Sequence, residues 1–277
     1  MIDAHVHLWR YAPATHGWIG PGMEALKRDF LPADLDAQCG ALGLDGVVAV
    51  QAAQTLDENQ FLFACAERSA RILGVVGWID LRAADVDERL DEFAAHRLSV
   101  GVRHIAQDEP DDGFLARPDF ARGVRRLAPR DLAYDLLVHS RQLPAAIALV
   151  DQCPDQVFVL DHLGKPGLRA GEFEPWAGRI AELARRPNVV AKLSGLATED
   201  DHRAWSRDRV ARAIDHALAC FCPQRLMLGS DWPVCLLAAP QGEILDHARS
   251  RLSALSDAER AAIESAVARR AYRLAGA

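Results

Sequence analysis

Eight short apolar runs, rich in β-branched residues, punctuate this 277-residue chain at residues 2–7, 46–51, 73–78, 100–105, 133–138, 157–162, 189–194 and 226–231. Most are nearly continuously apolar, which marks strands buried on both faces, as in a parallel sheet. Helical patterns separate them. Thr55-Leu56-Asp57-Glu58 reads as a capping box that opens a helix running to about residue 71. Residues 85–97 place Val86, Leu90, Phe93 and Ala94 on one face. Pro144 suits a first helical position, residues 174–186 and 208–221 read as helices, and two closing helices fall at 240–252 and 256–274. Strand alternating with helix eight times over predicts an α/β chain folded as a (β/α)8 barrel. A doubly wound sheet would carry a Gly-rich turn after its first strand. Residues 8–22 instead hold scattered Gly and Pro in a long loop. No linker or low-complexity segment divides the chain, so one domain over residues 1–277 is expected.

Composition narrows the partners. Half the residues are apolar, enough for a large core. The net charge of −7 argues against nucleic-acid binding, and Arg125, Arg126 and Arg130 read as solvated cations at a helix end. No run of about 18 apolar residues is present, so no membrane span is expected. Asp3, His5 and His7 interrupt the first apolar stretch, which argues against a signal peptide. The six cysteines form no C-x-x-C pair and mostly sit in apolar runs, as reduced thiols do in the cytoplasm. The outer helices leave room for a homo-oligomer, with no face singled out.

The chemistry-bearing residues gather at strand ends. In Asp3-Ala4-His5-Val6-His7, the two histidines are two apart and share one strand face. In a barrel, the C-terminal strand ends form the catalytic mouth. Two imidazoles there can ligate a metal or hydrogen-bond an anion; the plain alternative is two histidines at a strand edge. Leu228-Gly229-Ser230-Asp231-Trp232-Pro233 places a carboxylate at the end of strand eight, next to strand one on closure. Asp231 there suits a general base; its alternative is a cap on the next segment. Leu160-Asp161-His162-Leu163-Gly164-Lys165-Pro166 ends strand six with His162, and Lys165 follows in the mouth loop. Alternation from His162 sends Asp161 to the opposite face, in a structural or supporting role. Gly101-Val102-Arg103-His104 ends strand four with a guanidinium suited to carboxylates and oxyanions. Arg103 and His104 point to opposite faces, and Arg103 is favoured for the mouth. His139 lies just past strand five. Trp9, Tyr11 and Trp18 lie in the loop at residues 9–30, a candidate lid, and could stack on a sugar ring or plug the barrel edge.

Taken in order, these motifs resemble the amidohydrolase superfamily. Ile2-Asp3-Ala4-His5, Gly17-Trp18-Ile19, Arg28-Asp29-Phe30-Leu31-Pro32, Gly101-Val102-Arg103-His104, Asp161-His162-Leu163-Gly164-Lys165-Pro166, Lys192-Leu193-Ser194-Gly195-Leu196 and Gly229-Ser230-Asp231-Trp232-Pro233 look like its sugar-lactonase branch. That branch holds L-fuconolactonase-like and L-rhamnonolactonase-like enzymes and the related pyrone-dicarboxylate lactonases. The resemblance runs from residue 2 to about residue 235. It implies hydrolysis of a 1,4- or 1,5-lactone in carbohydrate metabolism. Asp231 would be the base and proton shuttle. His5, His7 and His162 would surround the carbonyl. Arg103, with His104, Trp18, Lys165 and His139 as further candidates, would bind substrate. Members with two metals use a Lys or Glu at the end of strand four or five. Here Arg103-His104 and Val138-His139 stand there, which argues against a binuclear centre. One Zn2+ on His5, His7, His162 and Asp231, or no required metal, is what the resemblance implies. A Zn-dependent decarboxylase on the same scaffold is the first rival reading, and a non-catalytic sugar- or carboxylate-binding barrel the second.

Overall fold

The computed structural model describes residues 1–275. Eight parallel strands follow one another around a sheet in sequence order. They are β1 (Ile2–Val6), β2 (Gly46–Val50), β3 (Ile72–Gly77), β4 (Ser99–His104), β5 (Ala133–Leu136), β6 (Phe158–Leu160), β7 (Val189–Leu193) and β8 (Leu226–Leu228). A helix follows each strand: α1 (Pro32–Leu42), α2 (Leu56–Ala66), α3 (Val86–Ala94), α4 (Pro118–Val124), α5 (Leu143–Gln152), α6 (Trp176–Leu183), α7 (Arg207–Phe221) and α8 (Gln241–Ser250). The fold is the expected (β/α)8 barrel. A further helical stretch from Asp257 to Ala271 closes the chain.

Several elements differ from their sequence reading at the edges. Thr55 caps α2 by accepting a bond from the Glu58 amide at 3.2 Å, but the helix stops at Ala66, short of residue 71. The sequence reading did not single out α1, and marked α4 only by the helix end at Arg125, Arg126 and Arg130; each has a proline in its first turn.

The seam between β8 and β1 closes through the functional segments themselves. The Asp231 amide donates to the His5 carbonyl at 2.9 Å, and the His7 amide donates to the Trp232 carbonyl at 2.7 Å. The two segments that carry the first and last site residues are therefore hydrogen-bonded backbone to backbone.

The barrel interior is layered. Its floor is apolar: Ile2, Ala4, Val48, Val50, Val76, Val100, Ala133, Val159, Val190 and Met227 meet Tyr272 and Leu274 from the C-terminal stretch. Leu, Phe and Trp side chains fill the space between strands and helices. Strand alternation links the floor to the chemistry above it. From Ala133 the next inward position is Asp135, from Val159 it is Asp161, and from Val190 it is Lys192. β1 breaks this rule. Its pairing with β2 shifts between Asp3 and Val6. Below the shift Ile2 and Ala4 face inward; above it Val6 and Leu8 pack outward, and His5 and His7 take the interior.

Candidate active site

Above the apolar floor lies a layer of buried charge. Lys192 Nζ sits 2.7 Å from Asp135 Oδ2, 2.9 Å from Asp161 Oδ1 and 3.1 Å from His5 Nδ1. Arg103 Nη1 donates to Asp161 Oδ2 at 2.9 Å and lies 3.3 Å from His5 Nε2, while Nη2 donates to Gln51 Oε1 at 3.1 Å. Tyr272 donates its hydroxyl to Asp135 at 2.7 Å. Burial pushes the Asp135 carboxyl up to about 6, against the pull of Lys192. Burial would do the same to Asp161, but Lys192, His5 and Arg103 outweigh it and hold that carboxyl well below the usual range. Two cations against two carboxylates make a closed set, the condition under which buried charge is tolerated.

One layer higher, His7, His162 and Asp231 line a cavity of about 360 Å³. His7 Nδ1 lies 2.8 Å from the Val50 carbonyl, so that nitrogen carries the proton and donates. Its Nε2 faces Asp231 Oδ1, 3.2 Å away, and His5 Nε2, also 3.2 Å away. Acceptors this close require a positive charge between them, as a proton or a metal ion. His162 Nδ1 lies 2.9 Å from Ser194 Oγ, which leaves Nε2 for the cavity. Burial lowers His162 to about 4 and holds His5 well below the ordinary imidazole range, so both are neutral at pH 7. Burial opposes ionisation of Asp231, but His162, His7 and His5 outweigh it and keep its carboxyl below the ordinary range.

The donor set suits one divalent ion. Ligand atoms of His5, His162 and Asp231 all lie within 4.8 Å of one another, and imidazole nitrogen with carboxylate oxygen is a zinc-binding chemistry. This is one such group among the described residues.

The segment that carries His162 is unusual. His162, Leu163, Gly164 and Lys165 have φ of 52°, 51°, 64° and 52°, one left-handed turn. Each non-glycine residue there costs about 1–2 kcal/mol. Asp231 shares the trait, with φ 62°. Strain of this kind persists where surrounding structure over-determines it, most often at functional sites. The turn also explains a difference from the sequence reading, which sent Asp161 to the face opposite His162. β6 ends at Leu160, alternation from Val159 points Asp161 inward, and the left-handed turn then swings His162 inward as well.

The remaining candidates divide. Arg103, Trp18 and Lys165 line the cavity. His104 does not: it points out of the barrel, stacks on Phe114 with ring centroids 5.0 Å apart, and bonds Glu109 at 2.7 Å. His139 borders a neighbouring cavity of about 300 Å³ rather than this one. Trp9 is fully buried between Phe30 and Trp18, with its indole N–H on the Arg28 carbonyl, so it plugs the barrel edge and cannot stack on a ligand. The sequence reading passed over Asp135, Gln51 and Glu199, and quoted Lys192 and Ser194 only within a motif. A signal existed for two of them: Asp135 and Lys192 are lone charges inside otherwise apolar runs, a placement that requires a buried partner.

Comparison with known proteins shows the family and the fold. A family model described as amidohydrolase matches residues 2–274. An L-fucono-1,5-lactonase of Burkholderia multivorans is 46% identical, over 99% of this chain and 96% of its own length. An L-fucono-1,5-lactonase of Burkholderia ambifaria is 35% identical, over 87% of this chain and 83% of its own. A crystal structure of an amidohydrolase from Burkholderia multivorans with bound zinc superposes with a TM-score of 0.94 at 45% identity, covering 99% of both chains.

Proposed function

The chain belongs to the amidohydrolase family, and from that premise we propose that it is a sugar-lactone hydrolase acting on L-fuconolactone or a close relative of it. The observation that carries this reading is Asp231: a carboxylate held ionised, 3.2 Å from His7, in a cavity large enough for one sugar ring.

The chemistry follows from the groups present. Asp231 accepts a proton from water, whose oxygen forms a bond to the lactone carbonyl carbon. The carbonyl electrons move onto oxygen, and the tetrahedral oxyanion is met by the Arg103 guanidinium and by an N–H of the cavity-lining imidazoles His7 and His162. As the oxyanion collapses, the bond to the ring oxygen breaks and Asp231 returns its proton there. The product is an open-chain hydroxy acid, whose carboxyl group ionises and releases one proton. A zinc ion on His5, His162 and Asp231, with His7 alongside, would supply Lewis acidity at the carbonyl when bound. Trp18, 38% exposed, offers an indole face at the cavity mouth.

We also assign the activity to one domain spanning the chain and to the cytoplasm. The six free cysteines support a reducing compartment, and no helix among the described residues is long and apolar enough to cross a membrane.

The test is a screen of aldonolactones and dicarboxylic lactones followed by acid release with a pH indicator. The expected result is one proton per L-fuconolactone consumed and no CO2. Release of CO2 from an aromatic acid, without lactone opening, would move the chain to the decarboxylases. Tight lactone binding without turnover would make it a binding protein.

A further inference from the structure

Part of the cavity lining is not used by the mechanism. It is made by Gln107 and Asp108 after β4, by Lys165, and by Thr198, Glu199 and His202 after β7. Lys165 and Glu199 also line the neighbouring cavity of about 300 Å³, so this pair is the partition between the two. Lys165 Nζ lies 3.1 Å from Glu199 Oε1, and both side chains are largely enclosed.

Both partners are fixed by their backbones. Lys165 ends the left-handed turn that starts at His162, and its amide donates to the His162 carbonyl at 2.9 Å. The same strained turn therefore carries both an imidazole and an ammonium that line the cavity. Glu199 ends a short turn, Ala197–Glu199, tied down when Thr198 donates its hydroxyl to the Gly195 carbonyl at 2.9 Å. The Glu199 carbonyl also accepts the Arg169 amide at 3.1 Å.

The Lys and Arg side chains lining the cavity are each paired. Arg103 is matched by Asp161 and Lys165 by Glu199. Asp108 adds a carboxylate with no ion-pair partner among the described residues. Among the described residues lining the cavity, no unpaired Lys or Arg is left for an anionic substituent. A carboxylate on a substrate would have to take Lys165 from Glu199 and leave the Glu199 carboxylate uncompensated beside it. Neighbouring hydroxyl groups face the opposite situation. Each both donates and accepts, and the pair presents ammonium protons and carboxylate lone pairs at fixed positions with no net charge.

We propose that the Glu199–Lys165 ion pair is the specificity element of this site, binding the hydroxyl groups of an uncharged lactone and excluding lactones that carry a carboxylate. This deepens the lactonase reading and rests on it. Glu199 supplies the acceptor and the repulsion; Lys165 supplies the donor.

The test uses the full chain and two probes that are not hydrolysed, a neutral aldonolactam and citrate, titrated calorimetrically into wild type, E199Q and K165M. Wild-type turnover of an aldonolactone is measured alongside. Wild type should prefer the lactam. E199Q should weaken the lactam by about tenfold, the effect of losing a charged acceptor, and tighten citrate. K165M should weaken both probes. Opposite responses to citrate separate a charge effect from general damage to the site. Failure of wild type to bind the lactam, or an E199Q preference ratio within about twofold of wild type, overturns the proposal even if the lactone is turned over. The expected ratios without lactone turnover would support the specificity element and refute the hydrolase reading.

Discussion

Lys192 Nζ lies 3.1 Å from His5 Nδ1, with both side chains fully enclosed in the barrel. An ammonium can only donate, whereas Asp161 Oδ1, 3.3 Å from the same nitrogen, can only accept. The balance between them decides whether His5 offers a proton or a lone pair at Nε2, the atom that faces His7 and Arg103. A residue on β7 thus sets the chemistry available to a residue on β1.

Replacing Lys192 with Met removes the cation shared by Asp135 and Asp161. Leaving buried carboxylates uncompensated costs about 3–5 kcal/mol. Urea denaturation should show a loss of this size, partly restored in K192M/D135N. A loss below about 1 kcal/mol would show that the charged layer is not the closed set described above.

Asp231→Asn keeps the shape and tolerates the positive φ, since Asn is enriched in the left-handed region. It removes the base. Lactone turnover should fall by about 10²–10⁴-fold with Tm little changed. Near-wild-type turnover would remove Asp231 from the mechanism.

Gly195 has φ 62°, and a Cβ there would stand 2.4 Å from His162 Nδ1. Gly195→Ala should displace His162, break its bond to Ser194 and lower kcat/KM by more than about tenfold, because misplacement by 1 Å costs roughly 10²-fold. A crystal structure of the variant with His162 unmoved would contradict this.

His162 titrates near about 4 because burial disfavours its charged form. The unfolded chain protonates this residue near its ordinary value of 6.5, so between 6.5 and about 4 the unfolded state binds more protons. Its contribution makes stability fall as pH falls through that window and level off below it. Asp231 remains ionised there, so kcat/KM should hold through pH 5 and drop towards about 4 as His162 charges. An acid limb centred near pH 6 would point to a different titrating group.

The donor set predicts zinc stoichiometry. Elemental analysis after zinc loading and desalting should find about one ion per chain and no more, and H162A should reduce it, since His162 belongs to the one donor group among the described residues. Two tightly held ions per chain would require ligands outside that group. Activity of a sample stripped to a verified metal-free state then measures how much the side chains achieve alone.

The sequence by itself determined the barrel, because eight apolar runs buried on both faces have few other ways to hide their backbone polar groups and side chains. It also determined that His5, His7, His162 and Asp231 would fall at strand ends on one rim. Alternation was enough to separate Arg103 from His104, which share a regular strand. Alternation failed where the backbone departs from it. The register shift in β1 and the left-handed turn after β6 carry no clear local sequence signature, yet they turn His7, His162 and Lys165 into the cavity. Only the tertiary structure decided the partners of the buried charges. Lys192 meets His5 across 187 positions of chain, and Tyr272 meets Asp135 across 137. Such pairings arise when closure brings distant strands together, and no pattern within either segment encodes them.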